Sequence, residues 1–310
     1  MPTFSPRPVT FHAPQLLWSA LPPDAQGWTC RTASFAAMGT ACAFHIHGHE
    51  TGDIQDAAMA ALDEVSRIEL RYSRFRSDSD LSAINRVASL GGSVELDEET
   101  AGLIECAALC HRASGGLFDI TAAALRHGAS LDRIGFGRLT WDKHRLTFQA
   151  GMSIDFGGLA KEYAVDRAVE MLRFQGVRHG LVDPGGDMAV VGPHPDGAPW
   201  KIGIRDPQDT RRPMAELTLG GGAVATSGNY ERFATVAGER LSHIVDPATG
   251  RSPSGLMSVS VVADRCLAAG CLSTIGMLKG LDGTRWLAEL GVSHLWQDEN
   301  GRIGGSLGPG

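Results

Sequence analysis

The sequence lacks an excess of positive charge and has no long apolar run. Its 310 residues include 28 Lys and Arg against 35 Asp and Glu, which gives a formal net charge of −7. A negative chain repels a phosphate backbone unless a local basic patch overrides it, and this argues against nucleic acid as a partner. No stretch reaches the roughly 18 uninterrupted apolar residues of a spanning helix, so we expect no membrane span.

The N-terminus lacks the features of a secretion signal. It has neither an early cluster of Lys and Arg nor an apolar run long enough for a signal peptide. Residues 1–27 are instead rich in proline, which is typical of an extended arm over a surface. The features favour a cytoplasmic location for the chain as given and leave a periplasmic one open.

The sequence also lacks a dense cysteine framework, so we expect reduced and mostly buried thiols at Cys30, Cys42, Cys106, Cys110, Cys266 and Cys271. Cys106 and Cys110 lie four residues apart in an apolar helical stretch. Zinc pairs usually have other spacings and a second pair, which favours helix packing here. His45, His47 and His49 alternate along a predicted strand, where metal binding and a solvated face are both open.

Periodicity and composition predict an α+β fold. An apolar content of 43% is sufficient for a large core. Helical patterns predict helices at 53–70, 97–113, 159–174, 267–278 and 286–290. Alternating patterns predict strands at 31–47, 138–140, 145–149, 153–156, 180–191, 200–206, 217–226 and 258–263. Because the strands come in antiparallel-looking runs with helices inserted, we predict mixed, largely antiparallel sheets. The predicted division is a 1–27 arm, a 28–297 domain and a 298–310 tail.

Several polar residues stand in apolar or glycine-rich surroundings, and each has a structural explanation. Asp187 and Asp246 fit ordinary turns, Asp155 fits a helix cap, and His243 fits a hydrogen-bonded core histidine. The order of strand, Gly157-Gly158 and helix is also one that binds phosphate, because a helix N-terminus offers unpaired amides. Taken singly, none of these residues establishes a function.

The order of the motifs is more specific than any one of them. They are MGT at 38–40, YSRF at 72–75, GGLFDIT at 115–121, DFGGLAKEYAVD at 155–166, GGD at 185–187, ATSG at 225–228, HIVDP at 243–247 and AGCLSTIGMLKG at 269–280. In sequence and order these motifs resemble the ApbE family over about residues 30–297. The resemblance implies the ApbE-like flavin transferase fold.

Family members are FAD:protein FMN transferases, and some instead hydrolyse FAD to FMN and AMP. The resemblance therefore implies transfer of FMN from FAD to a Ser or Thr of an acceptor flavoprotein, with release of AMP. It implies flavin contacts at Met38, Tyr72, Leu117, Phe118, Asp119, Asp155, Lys161 and Val245. Thr226 and Ser227 would donate to phosphate oxygens, and His243 would be the base for the attacking hydroxyl.

The resemblance also implies Mg²⁺, but the metal motif is altered. In the family it reads Ala-Asp followed four positions later by Thr, and alignment on Thr274 puts Gly270 at the aspartate. Ser273, Thr274 and carbonyls near Gly158 and Ala160 remain as metal ligands. Neutral oxygens alone bind magnesium weakly.

Several explanations of this change stay open at the level of sequence. Glu162 or Asp155 would supply the missing carboxylate, or the phosphates of FAD would hold most of the ion. Alternatively, turnover is lost, and the chain is an FAD-binding protein or a flavoprotein chaperone. A third possibility is an FAD pyrophosphatase, in which water replaces the protein hydroxyl.

Overall fold

The computed structural model describes residues 14–127, 129–209, 211–229, 233–236, 239–242 and 244–308. Six α-helices lie in this part of the chain: α1 (Thr51–Tyr72), α2 (Asp80–Leu90), α3 (Glu98–Ser114), α4 (Ala160–Phe174), α5 (Cys266–Leu278) and α6 (Leu281–Glu289). Its strands are β1 (Leu17–Ala20), β2 (Thr29–Ala37), β3 (Thr40–Gly48), β4 (Gly92–Glu95), β5 (Thr140–Trp141), β6 (Arg145–Phe148), β7 (Gly180–Asp183), β8 (Met188–Gly192), β9 (Trp200–Arg205), β10 (Pro213–Leu219), β11 (Ala223–Gly228), β12 (Phe233–Val236), β13 (Glu239–Ser242), β14 (Leu256–Ala263), β15 (Ser293–Asp298) and β16 (Ile303–Gly304).

A nine-stranded sheet organises the molecule, in the order β1-β2-β3-β7-β8-β11-β14-β15-β16. Every neighbouring pair in this sheet is antiparallel. Helices α1 and α4 pack against β2 and β3 through one apolar cluster, which includes Phe44 and Leu62. A second cluster lies among α1, α3, α4 and α5. The prediction of an α+β fold with largely antiparallel sheets is confirmed.

Local sequence signals fix several helix ends. The side chain of Ser79 accepts a hydrogen bond from the Ser82 amide at the start of α2, and Asp97 does the same for Thr100 at the start of α3. Gly115 ends α3 in the left-handed conformation at φ 71°. The first predicted helix, 53–70, begins two residues earlier than predicted, at Thr51.

Four of the predicted strands differ in the structure. The predicted strands 31–47 and 180–191 are each two antiparallel strands, β2 and β3 in the first and β7 and β8 in the second. The predicted strand 217–226 is two strands, since a turn with Gly222 at φ 77° separates β10 from β11. Residues 153–156 form no strand, because the Asn85 side chain holds both the amide and the carbonyl of Ile154. The main sheet also extends beyond the predicted 28–297 domain, through β1 on one side and β16 on the other.

The cysteines and the histidine row have separate surroundings. All six cysteines are free thiols, and Cys106 and Cys110 pack with Cys271 so that the three Sγ atoms lie within 4.8 Å of one another. The histidines have different partners: His45 contacts Thr32, His47 contacts His194, and His49 contacts the carbonyl of Gly27. No helix in the described part of the chain has the length and apolar character needed to cross a bilayer.

Candidate functional site

The candidate residues of the described chain converge on one cleft of about 720 Å³. This volume is within the range of small-molecule sites. Every described candidate lines the cleft except Ser273, which is fully buried behind it: Met38, Tyr72, Leu117, Phe118, Asp119, Asp155, Gly158, Ala160, Lys161, Thr226, Ser227, Val245 and Thr274. His243 lies outside the described residues.

The turn between β2 and β3 brings Met38 to the cleft. Ala37 pairs with Thr40, so Met38 and Gly39 form a two-residue turn, and both have positive φ, 54° and 68°. This is the geometry of a type I′ hairpin turn, in which a non-glycine residue at the first position is strained. The fold therefore holds Met38 in a sparsely populated conformation at the wall of the site.

Aromatic side chains form an apolar part of the wall. The Tyr72 ring meets Phe156 edge-on at 5.4 Å, and its hydroxyl lies 3.1 Å from the hydroxyl of Thr100. Burial raises the pKa of Tyr72, so this phenol stays neutral. Phe118 lies against Gly158, where a Cβ would be 3.5 Å from the ring. Such a surface suits a planar ring system.

The two candidate carboxylates have different surroundings. Asp119 organises its own loop, because it accepts hydrogen bonds from the amide and hydroxyl of Thr121 and from the amide of Phe136. Asp155 accepts from the Gly157 amide and forms an ion pair with Arg74 at 2.6 Å. Asp155 is therefore not the cap of α4, for which it was a sequence-based alternative; no side chain caps that helix.

Lys161 lies in the first turn of α4, where its ammonium group pairs with the buried carboxylate of Asp187. Asp187 Oδ1 also accepts a hydrogen bond from the backbone amide of Thr226, in the neighbouring strand β11, with an N to O distance of 3.0 Å. One carboxylate thus ties the start of α4 to the strand that carries Thr226 and Ser227. This ion pair holds the ammonium group of Lys161 in a fixed position at the cleft.

Three hydroxyl groups cluster between β11 and the helix α5, and a further pair joins β11 to β14. Ser227 Oγ lies 2.8 Å from Ser273 Oγ and 3.0 Å from Thr274 Oγ1. Thr226 Oγ1 is 2.8 Å from the hydroxyl of Ser260. Oxygen atoms of this kind are hard donors, which suit magnesium or phosphate groups.

Five charged residues of the cleft had no predicted role in the site: Glu69, Arg74, Arg126, Asp183 and Arg205. A sixth, Glu162, was only an alternative metal ligand. Arg74 and Glu162 lie inside motifs named above, so the signal was present. Arg126 lies in a short 3₁₀ helix, 122–127, that has no motif of its own. Burial and the neighbouring charge of Arg74 lower the pKa of Arg126, while Asp155 opposes this. Together with Lys161, the three arginines place four positive charges in the cleft, beside the carboxylates of Glu69, Asp119, Asp155, Glu162 and Asp183.

Comparison with known sequences identifies relatives along most of the chain. The sequence profile of the ApbE family matches residues 38–296. A protein of Rhodobacter capsulatus named FAD:protein FMN transferase is 30% identical over 281 residues, which are 84% of this chain and 53% of that protein. One of the same name from Treponema pallidum is 30% identical over 79% of this chain and 77% of its own length. The chain thus spans about half of the first relative.

Solved structures show the same fold. A crystal structure of the ApbE protein from Thermotoga maritima has a TM-score of 0.81 at 30% identity, covering 89% of this chain and 97% of that one. The apo flavinyl transferase ApbE of Pseudomonas stutzeri has a TM-score of 0.74 at 24% identity, covering 95% of each chain. At 24% identity, the similarity to the Pseudomonas stutzeri structure shows a common fold and no more.

Proposed function

The chain belongs to the ApbE family, and from this premise we propose that it transfers FMN from FAD to a Ser or Thr hydroxyl of an acceptor flavoprotein, with release of AMP. The observation that carries the proposal is the convergence of candidate residues from seven separated motifs on one cleft. Those residues are spread along the chain from Met38 to Thr274, and a shared ligand site accounts for their common location.

The proposed reaction is a phosphoryl-type transfer. The acceptor hydroxyl attacks the phosphorus of the FMN half of FAD, and the anhydride bond to AMP breaks, so that AMP leaves with the bridging oxygen. His243 would take the proton of the hydroxyl, a role that the resemblance to the ApbE family implies. Negative charge grows on the phosphate oxygens in the transition state, and Lys161, Arg74 and Arg126 supply positive charge at the cleft.

The apolar and polar walls suit the two ends of this substrate. Phe118, Met38 and Val245 give the ring system an apolar surface, and burial of that surface favours binding. The hydroxyl-bearing residues Thr226 and Ser227 lie at the polar wall, where their side chains would donate to phosphate oxygens.

The oxygen donors of the cleft fit magnesium. The hydroxyl of Thr274, with Ser273 behind it and the carbonyls near Gly158 and Ala160, would hold the ion. Carboxylates also line the cleft, so the donor set includes the hard anionic oxygen that magnesium prefers. When bound, Mg²⁺ neutralises charge on the phosphates.

The test is to incubate the purified protein with FAD, with and without Mg²⁺ and a Ser- or Thr-containing acceptor. AMP and covalent flavin are followed by mass spectrometry. We expect AMP together with an acceptor heavier by FMN. AMP and free FMN without labelled acceptor would instead identify an FAD pyrophosphatase. Bound FAD without AMP would identify a non-catalytic flavin-binding protein.

Two histidine substitutions, one at the proposed base and one control, test the role of His243. His243→Ala is expected to lower the transfer rate by about 10²–10⁴-fold, the usual contribution of general base catalysis. His144→Ala is the control, because His144 is an exposed residue outside the cleft. FAD binding should be retained in both variants. A His243→Ala protein with the wild-type transfer rate would remove His243 from the mechanism.

A further inference from the structure

Gly270, at the position of the family's metal-binding aspartate, faces the side chain of Glu162. A Cβ placed on Gly270 would lie 2.5 Å from Cγ, 3.0 Å from Cδ and 3.3 Å from Oε1 of Glu162. These are the three nearest atoms, and all belong to one residue. The side chain of Glu162, from α4, therefore occupies the space that a side chain on α5 would need.

We propose that Glu162 supplies from α4 the anionic metal ligand that an aspartate at position 270 would supply from α5. This inference rests on the proposed function. The carboxyl carbon of Glu162 is only 3.0 Å from the position of a Cβ at Gly270. A glutamate at position 162 and an aspartate at position 270 would therefore bring a carboxylate to the same side of the cleft. The negative charge of the metal motif is thus moved to another helix and is not lost.

The remaining donors lie around this carboxylate. Thr274 follows Gly270 by one helical turn, so both positions share a face of α5. The Thr274 hydroxyl and Glu162 line the same cleft, and Ser227 lies 3.0 Å from Thr274 Oγ1. Gly158 and Ala160 precede Glu162 at the start of α4 and line the cleft too. A carboxylate, a hydroxyl and backbone carbonyls together form the all-oxygen set that Mg²⁺ requires.

Three other carboxylates at or near the cleft hold different groups, and of the two further lining carboxylates, Glu69 and Asp183, the second accepts a hydrogen bond from the amide of Gly185. Asp155 pairs with Arg74, and Asp119 holds the amides of its own loop. Asp187 pairs with Lys161 and holds the amide of Thr226. None of them is among the nearest atoms to Gly270. Glu162 is only 7% exposed and is the carboxylate placed beside the altered position.

Binding of Mn²⁺, a probe for Mg²⁺, tests this inference without relying on turnover. The loss of free Mn²⁺ signal in electron paramagnetic resonance gives the dissociation constant for the intact protein with FAD. We expect Glu162→Gln, which keeps size and removes charge, to raise this constant by about tenfold or more. Glu170→Gln is the control, because Glu170 lies on the same helix outside the cleft and pairs with Arg167 and Arg265.

An exchange variant tests the geometry directly. Glu162→Gly combined with Gly270→Asp should return the Mn²⁺ dissociation constant to within about threefold of the wild-type value, because the carboxylate then comes from α5. Wild-type Mn²⁺ affinity in Glu162→Gln would overturn the inference. That result would leave the proposed function intact, whereas a wild-type protein that labels no acceptor would overturn the function whatever its metal affinity.

Discussion

At the scale of single residues, the most informative side chain of the cleft is Arg126. Its buried Nε donates no hydrogen bond to any described residue, and burial and the charge of Arg74 lower its pKa. A guanidinium in such surroundings is stabilised by a bound anion. The pyrophosphate of FAD is the anion that the proposed function brings to this cleft.

Arg126→Ala should therefore weaken FAD binding. A hydrogen bond to a charged group contributes about 1.5–3 kcal/mol, so we expect the FAD dissociation constant to rise about 10- to 100-fold, measured by flavin fluorescence. Riboflavin has no phosphate, and its affinity should not change. Arg138→Ala, at an exposed position outside the cleft, is the control. Equal loss of riboflavin and FAD would show that Arg126 does not act on the phosphates.

At the scale of elements, the contact between α4 and α5 depends on a missing side chain. Gly270 is buried in α5 against Glu162, where a Cβ would come within 2.5 Å of the neighbouring side chain. In an exposed helix, glycine is a cost, since alanine is about 1 kcal/mol more favourable. Packing therefore overrides helix propensity at this position.

Two glycine-to-alanine substitutions separate the effect of side-chain packing on stability from the effect of helix propensity. Gly270→Ala should lower the free energy of unfolding by about 1–3 kcal/mol, because the added methyl overpacks the helix contact. Gly102→Ala, in α3 with no atom within 4 Å of its Cβ position, should raise it by up to about 1 kcal/mol. Urea denaturation measures both. A neutral or stabilising Gly270→Ala would mean that Glu162 moves aside at little cost.

At the scale of the whole molecule, a charged network joins three helices. Glu99 of α3 accepts hydrogen bonds from Arg67 of α1 and from Tyr163 of α4. Burial raises the pKa of Glu99, but the hydrogen bonds and the charges of Arg67 and Arg71 outweigh it and lower the pKa to about 2. The ionised form is thus favoured in the folded chain.

The sign of the pH dependence follows from this pKa. The folded value lies below the ordinary value of 4.5, so the stabilisation is fully present above pH 4.5 and is lost as the pH falls towards 2. We expect the free energy of unfolding to decline over that window, and Glu99→Gln to lower it at pH 7 and flatten the decline. Glu105→Gln, at an exposed position of α3, should keep the wild-type slope. If the free energy of unfolding of Glu99→Gln declined with pH in parallel with that of the wild type, Glu99 would be excluded as the cause of the decline.

Much of the molecule follows from the sequence by itself. Ser79 and Asp97 cap helices because each reaches an amide three residues ahead, and alternating apolar residues fix the faces of β3 and β9. The order of the motifs identifies the family, and with it the candidate site. These properties depend on hydrogen bonds and periodicities within a few residues, so they can be derived before any fold is known.

Tertiary structure decided the rest. The meeting of Glu162 with Gly270, the approach of Cys271 to Cys106 and Cys110, and the place of Arg126 in the cleft all join distant segments. The pairing of β1 with β2 likewise depends on a free sheet edge. No local pattern specifies such contacts, because they are set by how helices and strands pack. The sequence therefore predicted that a carboxylate is missing at position 270, and only packing showed that the side chain of Glu162 lies beside that position.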